Sequence, residues 1–127
     1  MKNACRPNPI KKILLVDDDS NFRKVLQYFL IEMGFEVDGV EDGKAALEQC
    51  LALNYSLIIA DANTPMMGIL RFVSEIRRQR PEVPVLVISA FSSETSEAQA
   101  YRSGAIEFLE KPCDLVLLRE AVKRFIA

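Results

Sequence analysis

At 127 residues, half of them hydrophobic and 27% charged, the chain has the length and balance of one globular domain. A formal charge of −2 argues against a binder that lives on nucleic-acid phosphates, and the absence of histidine excludes Ser-His-Asp, Cys-His and His-metal catalysis. Cys5, Cys50 and Cys113 lack metal-ligand spacing, so no zinc site is expected and a reducing cytoplasmic setting is.

Met1–Pro9 contains no apolar segment of the signal-peptide kind, and no apolar run approaches the ~20 residues of a membrane span. Residues 1–11 read as a short polar lead and 12–127 as the folded domain. Lys12–Val16 is an apolar run that stops at Asp17-Asp18-Asp19, which suits a strand buried on both faces. Ser20 is the expected N-cap of a first helix, with Phe22, Val25, Leu26, Phe29, Leu30 and Met33 at helical spacing and Gly34 ending it. Phe35–Val40 predicts a second strand, and Gly43–Leu53 a second helix with Ala46, Leu47, Cys50 and Leu51 inward. Ser56–Ala60 predicts a buried strand ending at Asp61.

Ile69–Gln79 predicts a helix with Leu70, Phe72, Val73 and Ile76 apolar, stopped before Pro81. Val83–Ser89 reads as a strand, and Ser93–Ser103 as a weaker, polar helix closed by Gly104. Ile106–Glu110 is a short strand and Leu115–Ile126 an amphipathic helix. The basic clusters Arg77, Arg78, Arg80 and Arg119, Lys123, Arg124 fall at helix ends and read as solvated faces. Alternating strands and helices, five of each, mean an α/β domain of parallel βα units, layered in three with right-handed crossovers.

Ligands of open parallel sheets bind beyond the carboxyl ends of the strands. The residues found there are Asp17, Asp18 and Asp19, then Asp61, Ser89 and Lys111. Carboxylates crowded on one edge repel each other unless a cation intervenes, and Mg²⁺ is the hard cation held by a few carboxylates, waters and a substrate phosphate. Mg²⁺ and a lysine would neutralise the oxygens of a transferring phosphoryl group, with a carboxylate as nucleophile. Each residue alone has a plain reading as a turn former, a helix-dipole partner or a strand-end hydroxyl; the joint placement is what points to chemistry.

The segments I-L-L-V-D-D-D, I-I-A-D-A-N-T-P-M-M, V-L-V-I-S-A and G-A-I-E-F-L-E-K-P resemble the receiver domain of two-component response regulators, in its single-domain, chemotaxis-regulator-like form. The resemblance runs from about Lys12 to the C-terminus. It implies a flavodoxin-like (βα)5 fold with strand order 2-1-3-4-5. It further implies Asp61 as phosphoacceptor from a sensor histidine kinase or histidine phosphotransfer protein. Asp17 and Asp18 match the acidic pair that holds Mg²⁺, Asp18 the more direct ligand, while Asp19 falls to surface or capping duty. Asn63 would offer its backbone carbonyl to the metal. Ser89 matches the hydroxyl that meets the phosphoryl group, Lys111 the lysine that pairs with it, and Phe108 the aromatic switch position.

The implied output is a remodelled face of fourth helix, fifth strand and fifth helix that contacts a downstream protein, with no nucleic acid and no membrane. Phe91 falls where the family faces the phosphoryl group, and its ring is expected to hinder the attacking water. The chain departs from the pattern at Thr64–Ile69, where Gly68 and Ile69 replace the usual Asp-Gly, and at Cys113. Two alternatives stay open: a docking module that works without phosphorylation, and a phosphatase of the haloacid-dehalogenase type built on Asp17 and Asp19. The fold alone would also suit an FMN binder, but three aspartates after the first strand repel phosphate in the absence of metal.

Overall fold

The runs KILLV, LIIAD and VLVIS are too short for helices and apolar at both parities, so each can be buried only as a strand covered on both faces. In the computed structural model the described residues are 10–63, 68–89, 104–105, 107–110 and 114–126. They form β1 (Lys12–Val16), α1 (Ser20–Glu32), β2 (Glu36–Val40), α2 (Gly43–Ala52), β3 (Leu57–Asp61), α3 (Ile69–Gln79), β4 (Val85–Ser89), β5 (Glu107–Glu110) and a last helix, Leu115–Ile126. The expected helix over 93–103 lies outside the described residues. The strands make one parallel sheet in the order β2-β1-β3-β4-β5, as expected.

Strand parity divides the core in two. Leu14, Val16, Ile58, Ala60, Val85 and Val87 meet Ala46 and Cys50 of α2 and Phe72, Val73 and Ile76 of α3. Ile13, Leu15, Leu57, Ile59, Leu86 and Ile88 meet Leu26 and Leu30 of α1 and Leu118, Ala121, Val122 and Ile126 of the last helix. Tyr55 closes the first core with its hydroxyl donating to Asp38 at 2.7 Å, and Lys11 Nζ donates to the Ile126 carbonyl at 2.8 Å, tying the sheet to the last helix.

Several boundaries move. β2 starts at Glu36 because the Phe35 N–H is taken by the Leu30 carbonyl at 3.2 Å, one of the bonds that close α1, while Gly34 turns the chain at φ 102°. β4 starts at Val85, since the Val83 N–H bonds the Arg80 carbonyl at 3.1 Å in a turn. Leu51, expected inward, is 48% exposed, and Val25 and Leu70, apolar residues at helical spacing, are 57% and 37% exposed. They match the helical spacing at the edge of the apolar stripe, and the stripe is narrower than the spacing allows.

The arginines at the end of α3 and just beyond it divide. Arg78 is a solvent-facing partner of Glu75 at 2.8 Å. Arg80 instead donates to the Cys50 and Leu51 carbonyls at 3.1 and 3.2 Å, satisfying the open end of α2. Arg77 lies with its Cγ 2.4 Å from where a Cβ at Gly104 would stand, so that position takes glycine for space as well as for its φ of 115°.

Two measurements check this packing. Phe72, wholly buried, should cost roughly 3–5 kcal/mol of unfolding free energy when cut to alanine in urea titrations, whereas Val116→Ala on the exposed face should change it by less than about 0.5 kcal/mol. Burial pushes the Cys50 thiol up to about 11, with Arg80 pulling weakly the other way. It therefore stays protonated in the folded state well above the ordinary thiol value, so iodoacetamide at neutral pH should label Cys50 only after unfolding, as read by peptide mass mapping.

Candidate functional site

Parallel strands that end in phase deliver their next residues to one edge. Val16 pairs with Ala60, so Asp17 and Asp61 are neighbours one step on. Asp61 pairs with Ile88, and the next residue of β4 is Ser89. Ser89 pairs with Glu110, which precedes Lys111 in the chain. The sheet order reverses between β1 and β3, the position where open α/β sheets take their ligands. Asp17, Asp61 and Ser89 are buried at 2%, 6% and 4% exposure, and Asp18 is exposed.

Asp17, Asp18 and Asp61 each present a carboxylate oxygen, and these atoms lie within 4.8 Å of one another. Negative charges at that spacing repel strongly where water is excluded. An all-oxygen donor set of this charge fits a hard divalent cation, and Mg²⁺ in particular, which keeps part of its shell for water or phosphate. The residues present therefore suit the ion that the sequence points to.

Backbone bonds hold the turn that carries the pair. The Asp17 N–H donates to the Val40 carbonyl at 3.1 Å, and the Asp19 N–H donates to Asp17 Oδ1 at 2.9 Å. Asp19 accepts from the Asn21 and Phe22 N–H groups, both at 3.1 Å, so Asp19 and not Ser20 is the N-cap of α1. An ionised cap also complements the helix dipole, which is why the acid wins over the neighbouring hydroxyl. Surface or capping duty was expected of Asp19 and the cap itself of Ser20; Asp19 caps, and Ser20 is the first helical residue.

Asn63 is exposed in the turn after β3, and the Ala62 N–H bonds the Ile88 carbonyl at 2.8 Å, extending the pairing beyond Asp61. Phe108 sits opposite Val87 and packs, partly buried, on the α2–α3 core. Lys111, Phe91, Cys113 and the 64–67 stretch lie outside the described residues.

Sequence reasoning passes over Arg23. Its Nη1 donates to the Asp17 carbonyl, its Nη2 lies 3.9 Å from Glu41, and its stem crosses Gly39. A glycine inside a strand was the available signal, because it marks a close approach.

Residues 13–123 match the model of the response regulator receiver domain. The chain belongs to this family. The receiver is 32% identical over 115 residues to the transcriptional regulatory protein ZraR of Escherichia coli strain K12, covering 91% of this chain and 26% of that protein. It is 34% identical over 113 residues to the response regulator protein FleR of Pseudomonas aeruginosa, covering 89% of this chain and 24% of that protein. It thus spans about a quarter of the length of these curated relatives.

Among solved structures, the response regulator protein TrrA of Thermotoga maritima, in complex with Mg²⁺-BeF, is 32% identical with a TM-score of 0.84, covering 92% of this chain and 100% of that one. The chemotaxis protein CheY4 of Vibrio cholerae is 28% identical with a TM-score of 0.86, covering 93% and 100%. The receiver is a signalling domain of two-component response regulators rather than a typical enzyme.

The crowding of carboxylates sets a stability test. In EDTA, Asp61→Asn should melt higher than wild type, because one of the converging charges is gone. Saturating Mg²⁺ should raise the wild-type melting temperature, by about 2.7 kcal/mol of stability at 100 times its dissociation constant, and leave the variant nearly unmoved. Differential scanning calorimetry reads both.

Proposed function

We propose that Asp61 is the phosphoacceptor of this receiver, taking the group from the phosphohistidine of a sensor histidine kinase or histidine phosphotransfer protein. The observation that carries this reading is the convergence of the Asp17, Asp18 and Asp61 oxygens within 4.8 Å at the carboxyl edge of the sheet. An Asp61 carboxylate oxygen attacks phosphorus in line with the leaving nitrogen. The new P–O bond forms as the P–N bond breaks, and the electron pair departs on the partner's imidazole, which takes up a proton.

Asp17, Asp18, Asp61 and the Asn63 backbone carbonyl hold Mg²⁺ in this reading. Bound there, the ion neutralises charge on the phosphoryl oxygens. The complex of the relative TrrA with Mg²⁺-BeF supports it. Ser89 donates its hydroxyl to a second phosphoryl oxygen, and its 4% exposure keeps that bond in a dry setting where it is stronger. The Lys111 ammonium pairs with a third.

Engagement of Ser89 draws in the end of β4, and Phe108 turns into the space left. It acts by packing alone, having no hydroxyl. The face of the fourth helix, β5 and the last helix is remodelled for a downstream protein. Phe91 shields the acyl phosphate from water, so the phosphorylated state is long-lived. The reading implies a cytoplasmic receiver whose only chemistry is its own phosphorylation and dephosphorylation; among the described residues no helix is long and apolar enough to cross a membrane.

Intact-mass spectrometry after incubation with acetyl phosphate tests the acceptor. Wild type with Mg²⁺ should gain one phosphoryl group, lose most of the gain in EDTA, and Asp61→Asn should gain none. A wild type that stays unmodified under both conditions would leave the phosphorylation-independent docking module as the better reading.

A further inference from the structure

We infer that Arg23, threaded over Gly39, is a positioning residue for the Mg²⁺ site, fixing the Asp17–Asp18 peptide so that the acidic pair keeps the spacing the ion needs. The inference rests on the Mg²⁺ reading of the same site. Arg23 Nη1 donates to the Asp17 carbonyl, the oxygen of the peptide that joins the pair. A donor on that oxygen fixes the plane from which the Asp18 side chain departs. Arg23 Nη2 lies 3.9 Å from Glu41 Oε1, so the guanidinium is held from both sides, and its side chain is only 14% exposed.

The path of the stem requires the glycine. Gly39 pairs with Leu15 in mid-β2, and a Cβ there would lie 3.1 Å from Arg23 Cδ, 3.3 Å from Nε and 3.4 Å from Cγ. A side chain at position 39 would crowd the arginine off its track. With Arg23 in place, Asp17 is held at three atoms: its N–H by Val40 at 3.1 Å, its Oδ1 by Asp19 at 2.9 Å, and its carbonyl by the guanidinium. Lysine cannot reproduce this, because a single ammonium lacks the fork that reaches a carbonyl and a carboxylate together.

The sign of the effect separates positioning from charge. An arginine acting only as a nearby cation would compete with Mg²⁺, and its removal would tighten binding. A positioning arginine predicts the reverse. Isothermal titration with MgCl₂ on wild type, Arg23→Met, Arg23→Lys and Gly39→Val, with melting curves of each in EDTA, reads the difference.

Arg23→Met should weaken Mg²⁺ binding on the order of 10-fold, the effect typical of groups behind a metal ligand. Arg23→Lys should recover part of the loss. Gly39→Val, which keeps every charge, should also weaken binding, with a metal-free melting temperature close to wild type. Unchanged or tighter binding in Arg23→Met, or unchanged binding in Gly39→Val, overturns the inference while leaving the metal site standing. A wild type that takes up no Mg²⁺ overturns both.

Discussion

The in-phase ending of β1 and β3 is the constraint on which this receiver depends. Val16 stands beside Ala60, so the next residues, both aspartates, are held side by side whatever their mutual repulsion. Two unit charges about 4 Å apart repel by roughly 4 kcal/mol at an effective dielectric near 20. The strands that hold them bury Ile13, Leu14, Leu15, Val16, Leu57, Ile58, Ile59 and Ala60 at 1% exposure or less. Full burial of a large aliphatic side chain contributes about 1.5–3 kcal/mol. The buried, paired strands therefore keep the two aspartate backbones adjacent, and these cannot separate without breaking the pairing.

That rigidity lets three consecutive acids do different work. Asp17 is buried and fixed by backbone bonds, Asp18 is exposed beside it, and Asp19 spends its carboxylate on two open amides of α1. The helix start and the acidic cluster are thus one structure. A change in how α1 begins would be felt at the site, since Asp19 both caps the helix and donates its own N–H to Asp17 Oδ1. β2 contributes through Val40 and Gly39 rather than through any reactive group, which is why its role is easy to miss.

The strong apolar runs were legible because burial on both faces leaves few alternatives: β1, α3 and the helix Leu115–Ile126 have the expected limits. The weaker signals sit where neighbours decide. Leu51 and Leu70 match a helical stripe yet face outward, because only the sheet determines how much of each helix it covers. Arg80 read as solvated, and its bonds to the Cys50 and Leu51 carbonyls arise from a neighbouring helix end distant in sequence. Ser20 and Asp19 are both good caps by residue type, and Asp19 is the one whose carboxylate reaches the open amides of α1.

By itself the sequence determined the alternation of strand and helix, the acids, hydroxyl and lysine at strand ends, and through them the family. Those are local properties: periodicity, turn formers and the identity of the residue that closes each run. Only the tertiary structure decided that the Asp17, Asp18 and Asp61 oxygens meet within 4.8 Å, and that an arginine from α1 crosses a glycine of β2 to grip the peptide between two of them. Both depend on register between strands far apart in the chain, and a one-residue slip, invisible to local pattern, would turn the same side chains to the opposite face.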